Sequence, residues 1–501
     1  MKNLFVFALL FSLTTAVFAQ PGTLDATFGN GGIVSTQIST SYNFGNAMTI
    51  QADGKIVVVG QSRVSGKYNM SIVRYNPDGT LDDTFDSDGM LIIEAATVNN
   101  FANKVMIQSD NKIVIAGHSF NGSSADMVVV RLNPDGSIDN TFGTNGIATI
   151  DFAGANDLAE SATLQADGKI LLGGHSADNF SVVRLKTDGS LDSTFGLNGL
   201  AKIIFATGSS YIKDIIVQSD GKILTAGFAS GTGAFTFALA RFKTDGSLDS
   251  TFGTNGMVYY DFGSGDNFGL AVREKSDGKI LIAGNTFISS PPLVYKQAVM
   301  QLNADGSKDN SFGTNGIARA GIANEECYAN GLAIQPDGKI ILAGYNTDGS
   351  TDDFILSRFN PDGSLDLTFG NNGLAVKYQI GGEGKAIELL SDGKILVAGN
   401  TYTSSASNFA LVRYNGDNNT TGIENNFESF VIMPNPASDN ITIEAGQGNK
   451  IIISDIAGKV VYSCIAETAL VNIDISSLPQ GMYFVTLYSN TVNKTTKLIK
   501  N

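Results

Sequence analysis

The 501-residue sequence predicts an all-β protein: a seven-bladed β-propeller closed by its N-terminal strand, followed by a small C-terminal β-sandwich. Two observations predict this class. Three short phrases recur seven times each in a fixed order, and each repeat contains four strand-like segments. A third observation, that the first and last repeats are both incomplete, predicts how the ring closes.

The repeated phrases divide the chain into units of similar length. The phrase L-D-x-T-F-G-x-x-G recurs every 53–60 residues, with its phenylalanine at Phe28, Phe85, Phe142, Phe195, Phe252, Phe312 and Phe369. The phrase Q-x-D-G-K-I has its aspartate at Asp53, Asp110, Asp167, Asp220, Asp277, Asp337 and Asp392. The phrase R-x-N/K-x-D-G-S has its aspartate at Asp78, Asp135, Asp188, Asp245, Asp305, Asp362 and Asp417.

The strand-like segments of the first unit lie at about residues 46–51, 55–60, 69–76 and 90–95. We call such segments strands A to D in every unit. Strands A and B meet at Asp53-Gly54, a two-residue turn whose residues tolerate positive φ. Four antiparallel strands of this length are typical of one propeller blade.

The repeat is offset at the two ends of the chain. Thr23 to Gly29 carries the T-F-G phrase with no R-x-N phrase before it, and Arg413 to Asp417 carries the R-x-N phrase with no T-F-G phrase after it. Together the two fragments complete one blade. We therefore expect the N-terminal strand to pair with the last three strands, which removes a free sheet edge.

The order D-G-K-I, then R-x-N-x-D-G-S-L-D-x-T-F-G, resembles the delta-60 repeat over about residues 20–417. Departures are local, such as Asn111 for Gly, Gln301 for Arg and Asp86 for Gly. The resemblance implies a bacterial extracytoplasmic β-propeller and no settled chemistry.

Residues 1–19 are expected to be a secretory signal peptide. Lys2 supplies the positive start, residues 4–17 are mostly apolar, and Ala19 fits a cleavage site, so the mature chain is expected to begin at Gln20. The junction lacks the cysteine that a lipid anchor would need, so no lipid anchor is expected. No later stretch approaches the roughly 18 apolar residues of a membrane span.

The C-terminal part differs in pattern from the repeats. Residues 418–428 form a polar linker, and residues 429–501 alternate as a small β-sandwich would. Pro434-Asn435-Pro436, Asp455 to Lys459, Leu478 to Tyr483 and Lys497 to Lys500, in that order, resemble a type A sorting domain of the type IX secretion system. The resemblance implies that the secretion machinery is a partner and that the protein passes through the periplasm to the cell surface or the medium. The alternative is an ordinary β-domain.

Charge and cysteine content exclude some classes of function. The net charge of −15 would repel nucleic acid and anionic membranes, so neither is an expected partner. The two cysteines, Cys327 and Cys464, fall in different predicted domains and are not expected to form a disulfide.

The R-x-N-x-D-G-S-x-D phrase resembles a calcium loop, and its best variant is Asp86-Ser87-Asp88-Gly89. However, the first ligand position is occupied by Arg74, Arg131, Arg184, Arg241, Gln301, Arg358 or Arg413. The alternative is that Asn and Asp cap tight turns while the arginine pairs with the aspartate of the L-D phrase. We therefore expect no cofactor, with calcium left open.

His118 and His175 are the only histidines, and both follow the glycine that ends strand B. They could share a metal or act as acid and base. A metal would need a third ligand, and no acidic residue recurs beside them. The alternative is that they are polar residues at a variable loop position.

The B–C and D–A loops vary from unit to unit, whereas the A–B and C–D turns are nearly constant. Because the B–C and D–A loops share one face of a propeller, which we call the loop face, a ligand is expected there. The candidate binding residues are His118, His175, Phe228, Tyr345 and Tyr402, and Phe287 adds aromatic area. The expected function is binding or adhesion to an extracellular glycan or protein. The alternatives are an extracellular polysaccharide- or peptide-acting enzyme with its site in the central channel, and a purely structural surface protein.

Overall fold

The computed structural model describes residues 19–501 except 153, 206–207, 231–232, 263–264, 290–292, 378–380, 404–405, 418–431, 434, 445–448, 456–458, 467, 469 and 489–492. Residues 1–18 of the expected signal peptide and the whole expected linker lie outside the described residues. The chain divides into two compact units, residues 1–418 and 419–501, and each is described separately.

The first unit contains seven four-stranded antiparallel sheets, and the described residues include no helix, so none that could span a membrane. This confirms the predicted all-β class and the four strands per repeat. Neighbouring A strands contact one another all the way around, including the first and the last, so they surround a central channel. The A strands are β2 (Asn43–Ile50), β6 (Asn100–Ile107), β10 (Asp157–Leu164), β14 (Ser210–Val217), β18 (Asn267–Glu274), β22 (Glu326–Ile334) and β26 (Gly382–Leu389).

Strands B and C are buried on both faces because each sheet packs between two others, which explains their long apolar runs. The B strands are β3 (Ile56–Val64), β7 (Ile113–Phe120), β11 (Ile170–Ser176), β15 (Ile223–Ser230), β19 (Ile280–Ile288), β23 (Ile340–Thr347) and β27 (Ile395–Tyr402). The C strands are β4 (Lys67–Tyr75), β8 (Ala125–Leu132), β12 (Asn179–Leu185), β16 (Phe235–Phe242), β20 (Val294–Leu302), β24 (Asp352–Phe359) and β28 (Ser407–Tyr414).

The short D strands form the outer edge of each sheet. Six of them come next in the chain after strand C of the same sheet: β5 (Met90–Ile93), β9 (Ile147–Ile150), β13 (Leu200–Ile203), β17 (Met257–Tyr260), β21 (Ile317–Ala320) and β25 (Leu374–Lys377). The seventh is β1 (Ile33–Thr36), which pairs with β28 and gives the sheet order β1–β28–β27–β26.

The turn that precedes β1 is assembled from the two ends of the unit. Gly22 N–H donates to the carbonyl of Asn415 at 2.7 Å, as Gly79 N–H donates to the carbonyl of Asn76 at 2.9 Å in an uninterrupted C–D turn. The amide side chain of Asn415 also donates to Thr23 Oγ1 at 3.0 Å. The non-covalent turn thus reproduces these two hydrogen bonds of the covalent one, in which Asn76 Nδ2 donates to Thr80 Oγ1 at 3.0 Å.

An arginine at the end of strand C ties each sheet to the next. Arg74 Nε donates to Asp82 at 2.6 Å, and its guanidinium lies 4.7 Å from the centroid of Phe85. Its Nη1 donates to the carbonyl of Pro134 in the following sheet. The same set of contacts recurs at Arg131, Arg184, Arg241 and Arg413. The predicted pairing of the arginine with the L-D aspartate is therefore confirmed.

Two sheets vary this link. Gln301 donates to Asp309 at 2.8 Å and accepts from Lys275 at 3.0 Å, so both ends of its amide are engaged within its own sheet. Arg358 keeps its aspartate and also binds the carboxylate of Asp417 through two nitrogens, at 2.7 and 2.9 Å. Asp417, the last residue of the repeat region, thus connects the sixth and seventh sheets.

Every A strand carries a β-bulge at the same position of the repeat. A bulge sets an extra residue against one residue of the partner strand and redirects its side chain. The bulged residues line a central cavity of about 160 Å³; they are Asn46, Asn103, Glu160, Lys213, Leu270, Asn330 and Lys385.

The second unit contains two antiparallel sheets whose apolar side chains share one core. The three-stranded sheet consists of β29 (Ile432–Met433), β30 (Asn440–Glu444) and β33 (Leu470–Asp474). The four-stranded sheet consists of β32 (Val460–Ile465), β31 (Lys450–Asp455), β34 (Gly481–Tyr488) and β35 (Asn493–Lys500).

Candidate ligand site at the channel mouth

The bulged position shows where the seven repeats differ. In three sheets it is an asparagine whose Nδ2 donates to a carbonyl of the next A strand: Asn46 to Ala102, Asn103 to Ala159, and Asn330 to Gly384. In the third and fourth sheets it is Glu160 and Lys213, whose charged atoms lie 2.9 Å apart. In the fifth and seventh sheets it is Leu270 and Lys385, so the seven positions hold three asparagines, one leucine and three charged side chains.

Both histidines lie beside this ion pair. His118 on β7 pairs with Phe101, and His175 on β11 pairs with Leu158, each two residues ahead of the bulge on strand A. Glu160 and Lys213 interact electrostatically with both imidazoles. We call His118, Glu160, His175 and Lys213 the histidine cluster. No acidic residue recurs beside the histidines in the repeat, and Glu160 comes instead from an adjacent strand.

His118 is neutral and has a defined tautomer. Burial lowers its pKa to about 4, against the opposing attraction of Glu160. Asn103 Nδ2, identified as the amide nitrogen because it donates to the carbonyl of Ala159, lies 3.3 Å from His118 Nδ1. His118 Nδ1 therefore accepts, and the proton of the neutral ring is on Nε2.

His175 is more deeply buried, with 8% of its surface exposed. Burial lowers its pKa as well, and its ring meets Tyr211 edge-on, with 4.8 Å between centroids. Its Nδ1 is buried, and no described residue provides a hydrogen-bond partner for it. A buried ring nitrogen without a protein partner indicates a place for water or a ligand.

The low pKa of His118 makes stability depend on pH. Because the unfolded chain binds the proton more tightly than the folded one, lowering the pH from about 6.5 to about 4 is expected to destabilise the protein, by about 2–3 kcal/mol. Denaturant unfolding at a series of pH values measures this slope, and His118→Phe should reduce it. An imidazole NMR titration in which His118 protonates near pH 6.5 would contradict the burial effect.

Aromatic rings border the mouth of the channel. Starting at His175, consecutive rings lie 4.8–6.2 Å apart across the fourth to sixth sheets; we call Tyr211, Phe228, Phe235, Phe268, Tyr295, Tyr328 and Tyr345 the aromatic arc. A shorter series contains Tyr42, Phe44, Tyr68, Phe101, His118 and Phe120. The histidine cluster contains His118, a member of the shorter series, and His175, the ring at which the arc begins.

The structure distributes the predicted binding residues around this mouth. Phe228 belongs to the aromatic arc, and Tyr345 ends the arc, stacked on Tyr328 with 4.8 Å between centroids. The hydroxyl of Tyr402 donates to Glu383, next to the arc. Only His118 and His175 are brought together by the shared pair Glu160 and Lys213; the three aromatic candidates lie at other points of the mouth.

Asp214 directly follows the bulge on β14 and links the third, fourth and fifth sheets. Asp214 accepts hydrogen bonds from Ser161 Oγ at 3.0 Å, Arg273 Nη1 at 2.8 Å and Val272 N–H at 3.0 Å. Although burial opposes ionisation, Arg273 and these donors lower the pKa of Asp214. Asp214, Arg273, Lys104 and Glu388 line both the central cavity and a second cavity of about 340 Å³, so the two cavities are adjacent.

The calcium candidate at residues 86–89 is a turn in which the carboxylate of Asp88 and the backbone N–H of Asp86 make hydrogen bonds within the protein. Asp88 Oδ1 accepts from Met90 N–H at 2.9 Å, and Asp86 N–H donates to the carbonyl of Asp135 at 3.0 Å. Across the described part of the chain, no group of three or more His, Cys, Asp and Glu side chains is arranged to hold a metal ion.

Sequence reasoning missed Glu160, Lys213, Tyr211 and Phe268, all on strand A. The signal that could have found them is the alignment of the seven A strands. The position two before the bulge reads Phe44, Phe101, Leu158, Tyr211, Phe268, Tyr328 and Glu383. Aromatic residues predominate there, but the bulge shifts the alternation of inward and outward side chains, so a simple period of two misplaces them.

Two protein-family models match the chain. The domain of unknown function (DUF5122) β-propeller matches seven segments: residues 51–85, 108–142, 165–195, 218–252, 275–312, 335–369 and 390–417. The secretion system C-terminal sorting domain matches residues 431–501. No curated protein matches the sequence.

Several solved structures are similar to this chain at low identity. A catalytically inactive virginiamycin B lyase from Staphylococcus aureus with quinupristin is 12% identical, with a TM-score of 0.41, over 76% of this chain and 98% of the lyase. The polysaccharide lyase Uly1 is 11% identical, with a TM-score of 0.40, over 80% and 94%. Drosophila Plexin A in complex with Semaphorin 1b is 9% identical, with a TM-score of 0.39, over 79% and 88%. At these TM-scores the likenesses assign no activity to this chain.

The C-terminal match determines where the protein goes. The sorting domain marks proteins that type IX secretion exports to the cell surface or the extracellular space, and it implies an interaction with the secretion machinery. The seven repeat matches coincide with the seven sheets of the first unit. The chain is thus a DUF5122 β-propeller repeat protein that ends in a type IX secretion C-terminal sorting domain.

Proposed function

We propose that the protein is a secreted or surface-displayed binding and adhesion module that holds a glycan at the channel mouth. The aromatic arc carries this proposal. Pyranose rings present flat C–H faces that stack on aromatic rings, and a curved row of rings suits successive sugars of one chain. A protein ligand for the same face is the second possibility within the binding class.

The charges at the mouth favour a ligand without net charge. Acidic and basic side chains alternate there, as in the pairs Glu160 with Lys213 and Glu383 with Lys385. The imidazoles add no charge at neutral pH because burial lowers both of their pKa values. A strongly anionic polymer would also meet the overall charge of −15.

We further propose how the chain matures. Removal of the signal peptide, residues 1–19, leaves Gln20 at the start of the propeller, residues 20–417. The pairing of β1 with β28 then closes the ring and removes its only unpaired junction. Residues 418–428 act as a linker, and residues 429–501 form a β-sandwich sorting domain.

Glycan binding is tested with the secreted chain on an array of neutral and acidic oligosaccharides. Phe268→Ala should weaken binding to the best array hit at least tenfold, because a buried aromatic contact contributes about 1.5–3 kcal/mol. Isothermal titration calorimetry measures the change. Tyr259→Ala is the control, since Tyr259 lies on β17, the outer strand of the preceding sheet, outside the aromatic arc, and is 70% exposed. Equal losses in both variants would count against the arc, and an array without hits would favour a protein ligand or a structural role.

An extracellular enzyme with its site in the channel is the second candidate. It is favoured by one observation: a carboxylate, Glu160, interacts with two neutral imidazoles, the groups that general acid–base catalysis uses. Incubating the array hits with the protein and analysing the products by mass spectrometry tests this. Binding without product would remove the enzyme for those glycans.

A further inference from the structure

Three tyrosines at one end of the aromatic arc form a continuous surface across the fifth and sixth sheets. The ring centroids of Tyr295 on β20 and Tyr328 on β22 are 5.5 Å apart. Those of Tyr328 and Tyr345 on β23 are 4.8 Å apart, with the ring planes within 21° of parallel. We call Tyr295, Tyr328 and Tyr345 the tyrosine row. All three are half-buried, so each keeps surface that a ligand can contact.

Carboxylates surround the tyrosine row. The hydroxyl of Tyr328 donates to Glu326 at 2.5 Å. The carboxylates that interact electrostatically with at least one of the three tyrosines are Asp266, Glu326, Asp352 and Glu383, and Glu326 interacts with all three. Burial and these carboxylates raise the pKa of each phenol, so the row itself is uncharged at neutral pH.

Described cations balance only part of this negative charge. Glu383 forms an ion pair with Lys385, whose ammonium lies 5.6 Å from the centroid of the Tyr345 ring. Among the described side chains, the other three carboxylates form no ion pair. Lys296, which follows Tyr295 in the chain, donates instead to two backbone carbonyls. The described side chains therefore leave a surplus of negative charge beside the tyrosine row.

Rings and carboxylates in this arrangement are complementary to an ammonium group. A cation within about 6 Å of a tyrosine ring is attracted to its negative face. Lys385 makes this contact at Tyr345 from within the protein, whereas no described cation lies over Tyr295 or Tyr328. A ligand ammonium over these two rings can donate to Glu326, because the second carboxylate oxygen of Glu326 has no described donor.

We propose that the tyrosine row binds the ammonium group of an amino sugar in the bound glycan, held over Tyr295 and Tyr328 and hydrogen-bonded to Glu326. This inference rests on the proposed glycan-binding function and names one sugar type in the chain. The ion pairs elsewhere at the mouth, such as Glu160 with Lys213, favour a chain that is otherwise uncharged. A lysine side chain offers the same ammonium, but it brings no pyranose face to the rest of the aromatic arc.

Two trisaccharides that differ only in N-acetylation test the proposal. A glucosamine trimer and the N-acetylglucosamine trimer with the same linkages are titrated into the full secreted chain by isothermal titration calorimetry. The titrations are done at about pH 6, below the usual pKa of an α-amino group, so that the free amines are protonated. The glucosamine trimer should bind at least about tenfold more tightly, because acetylation removes the charge that the rings and Glu326 recognise.

Glu326→Gln separates charge recognition from stacking. The glutamine keeps the size of the side chain and an acceptor for the Tyr328 hydroxyl, so it should weaken the glucosamine trimer at least about tenfold and leave any binding of the acetylated trimer unchanged. Asp83→Asn is the matched control, since it removes the same charge from an exposed residue between strands C and D, on the other face of the ring. An unchanged melting midpoint shows that Glu326→Gln is folded. If the midpoint falls, Asp352→Asn at the start of β24 takes its place, with the same expected direction.

Several outcomes would overturn the amino-sugar site. They are no binding of the glucosamine trimer, equal or tighter binding of the acetylated trimer, or a loss in Glu326→Gln no larger than in Asp83→Asn. A capped trilysine peptide that binds as tightly as the glucosamine trimer would also overturn it and would indicate a protein ligand. If array glycans still bind in these cases and depend on Phe268, only the amino-sugar site is wrong. If no glycan binds at all, the proposed function itself fails.

Discussion

Deletion of residues 21–36 is expected to destabilise the propeller by at least about 5 kcal/mol, with a melting midpoint lower by about 10 °C or more. The deletion removes β1 from its pairing with β28, and with it Asp25 and the fully buried Phe28. Arg413, only 9% exposed in its side chain, would lose its carboxylate and the ring beneath it. An unpaired buried charge and an empty aromatic pocket are both costly.

Single substitutions separate the contributions of Arg413 and Asp25 to this loss of stability. Arg413→Gln copies the natural Gln301 and should keep a hydrogen bond to Asp25 while losing the contact with Pro77, so its cost should be smaller than that of Asp25→Asn. Asp25→Asn leaves Arg413 without its charge partner and is expected to cost about 3 kcal/mol. Asp83→Asn, in the equivalent exposed stretch of the first sheet, is the control and should be neutral.

Calorimetry and denaturant unfolding measure these steps in the full chain. A midpoint that is unchanged by deletion of residues 21–36 would refute closure by the N-terminal strand. Equal effects of Asp25→Asn and Asp83→Asn would show that the link between Arg413 and Asp25 contributes nothing.

Acid is expected to unfold the propeller cooperatively between about pH 4 and pH 2. Each sheet contains one L-D aspartate held by cations and a threonine or serine, and the pKa of every one is lowered: Asp25, Asp82, Asp139, Asp192, Asp249, Asp309 and Asp366. For Asp25, burial opposes ionisation, but Thr27, Lys394 and Arg413 outweigh it and lower the pKa to about 2.

The direction of the effect follows from proton binding. A carboxylate with a lowered folded pKa binds protons less readily when folded, so its stabilisation is complete above about pH 4 and is lost as the pH falls towards 2. With solvent screening, each of the seven contributes about 1 kcal/mol, several kcal/mol in total. Stability curves at pH 7, 5, 4, 3 and 2 measure the loss, and Asp25→Asn should have a shallower slope. A flat profile below pH 4 would contradict the account.

Much of the architecture was predictable because its causes are local and repeated. Asp53-Gly54 specifies a tight turn, apolar runs such as Ile56 to Gly60 specify buried strands, and seven copies of each specify seven sheets. The fragment from Thr23 to Gly29 even indicated its missing partner at Arg413. The sequence also offered the pairing of the arginine with the L-D aspartate, as the alternative to a calcium loop.

The candidate site was less predictable because it arises where the repeats differ. His118 and His175 were visible as the only histidines, but nothing in their sequence neighbourhood indicates Glu160 or Lys213. These four residues come from three sheets and meet through bulges whose effect on side-chain direction is not encoded by alternation.

The sequence by itself determined the number of sheets, the order of strands, the sorting domain and the export of the protein, because each depends on residues close together in the chain. Only the tertiary structure decided which side chains face one another across the channel. It brought an ion pair close enough to two neutral imidazoles to interact with them, and it joined separate aromatic residues into one arc. The physical reason is that a ring brings equivalent positions of distant repeats to the same depth, so their differences, not their shared residues, make the site.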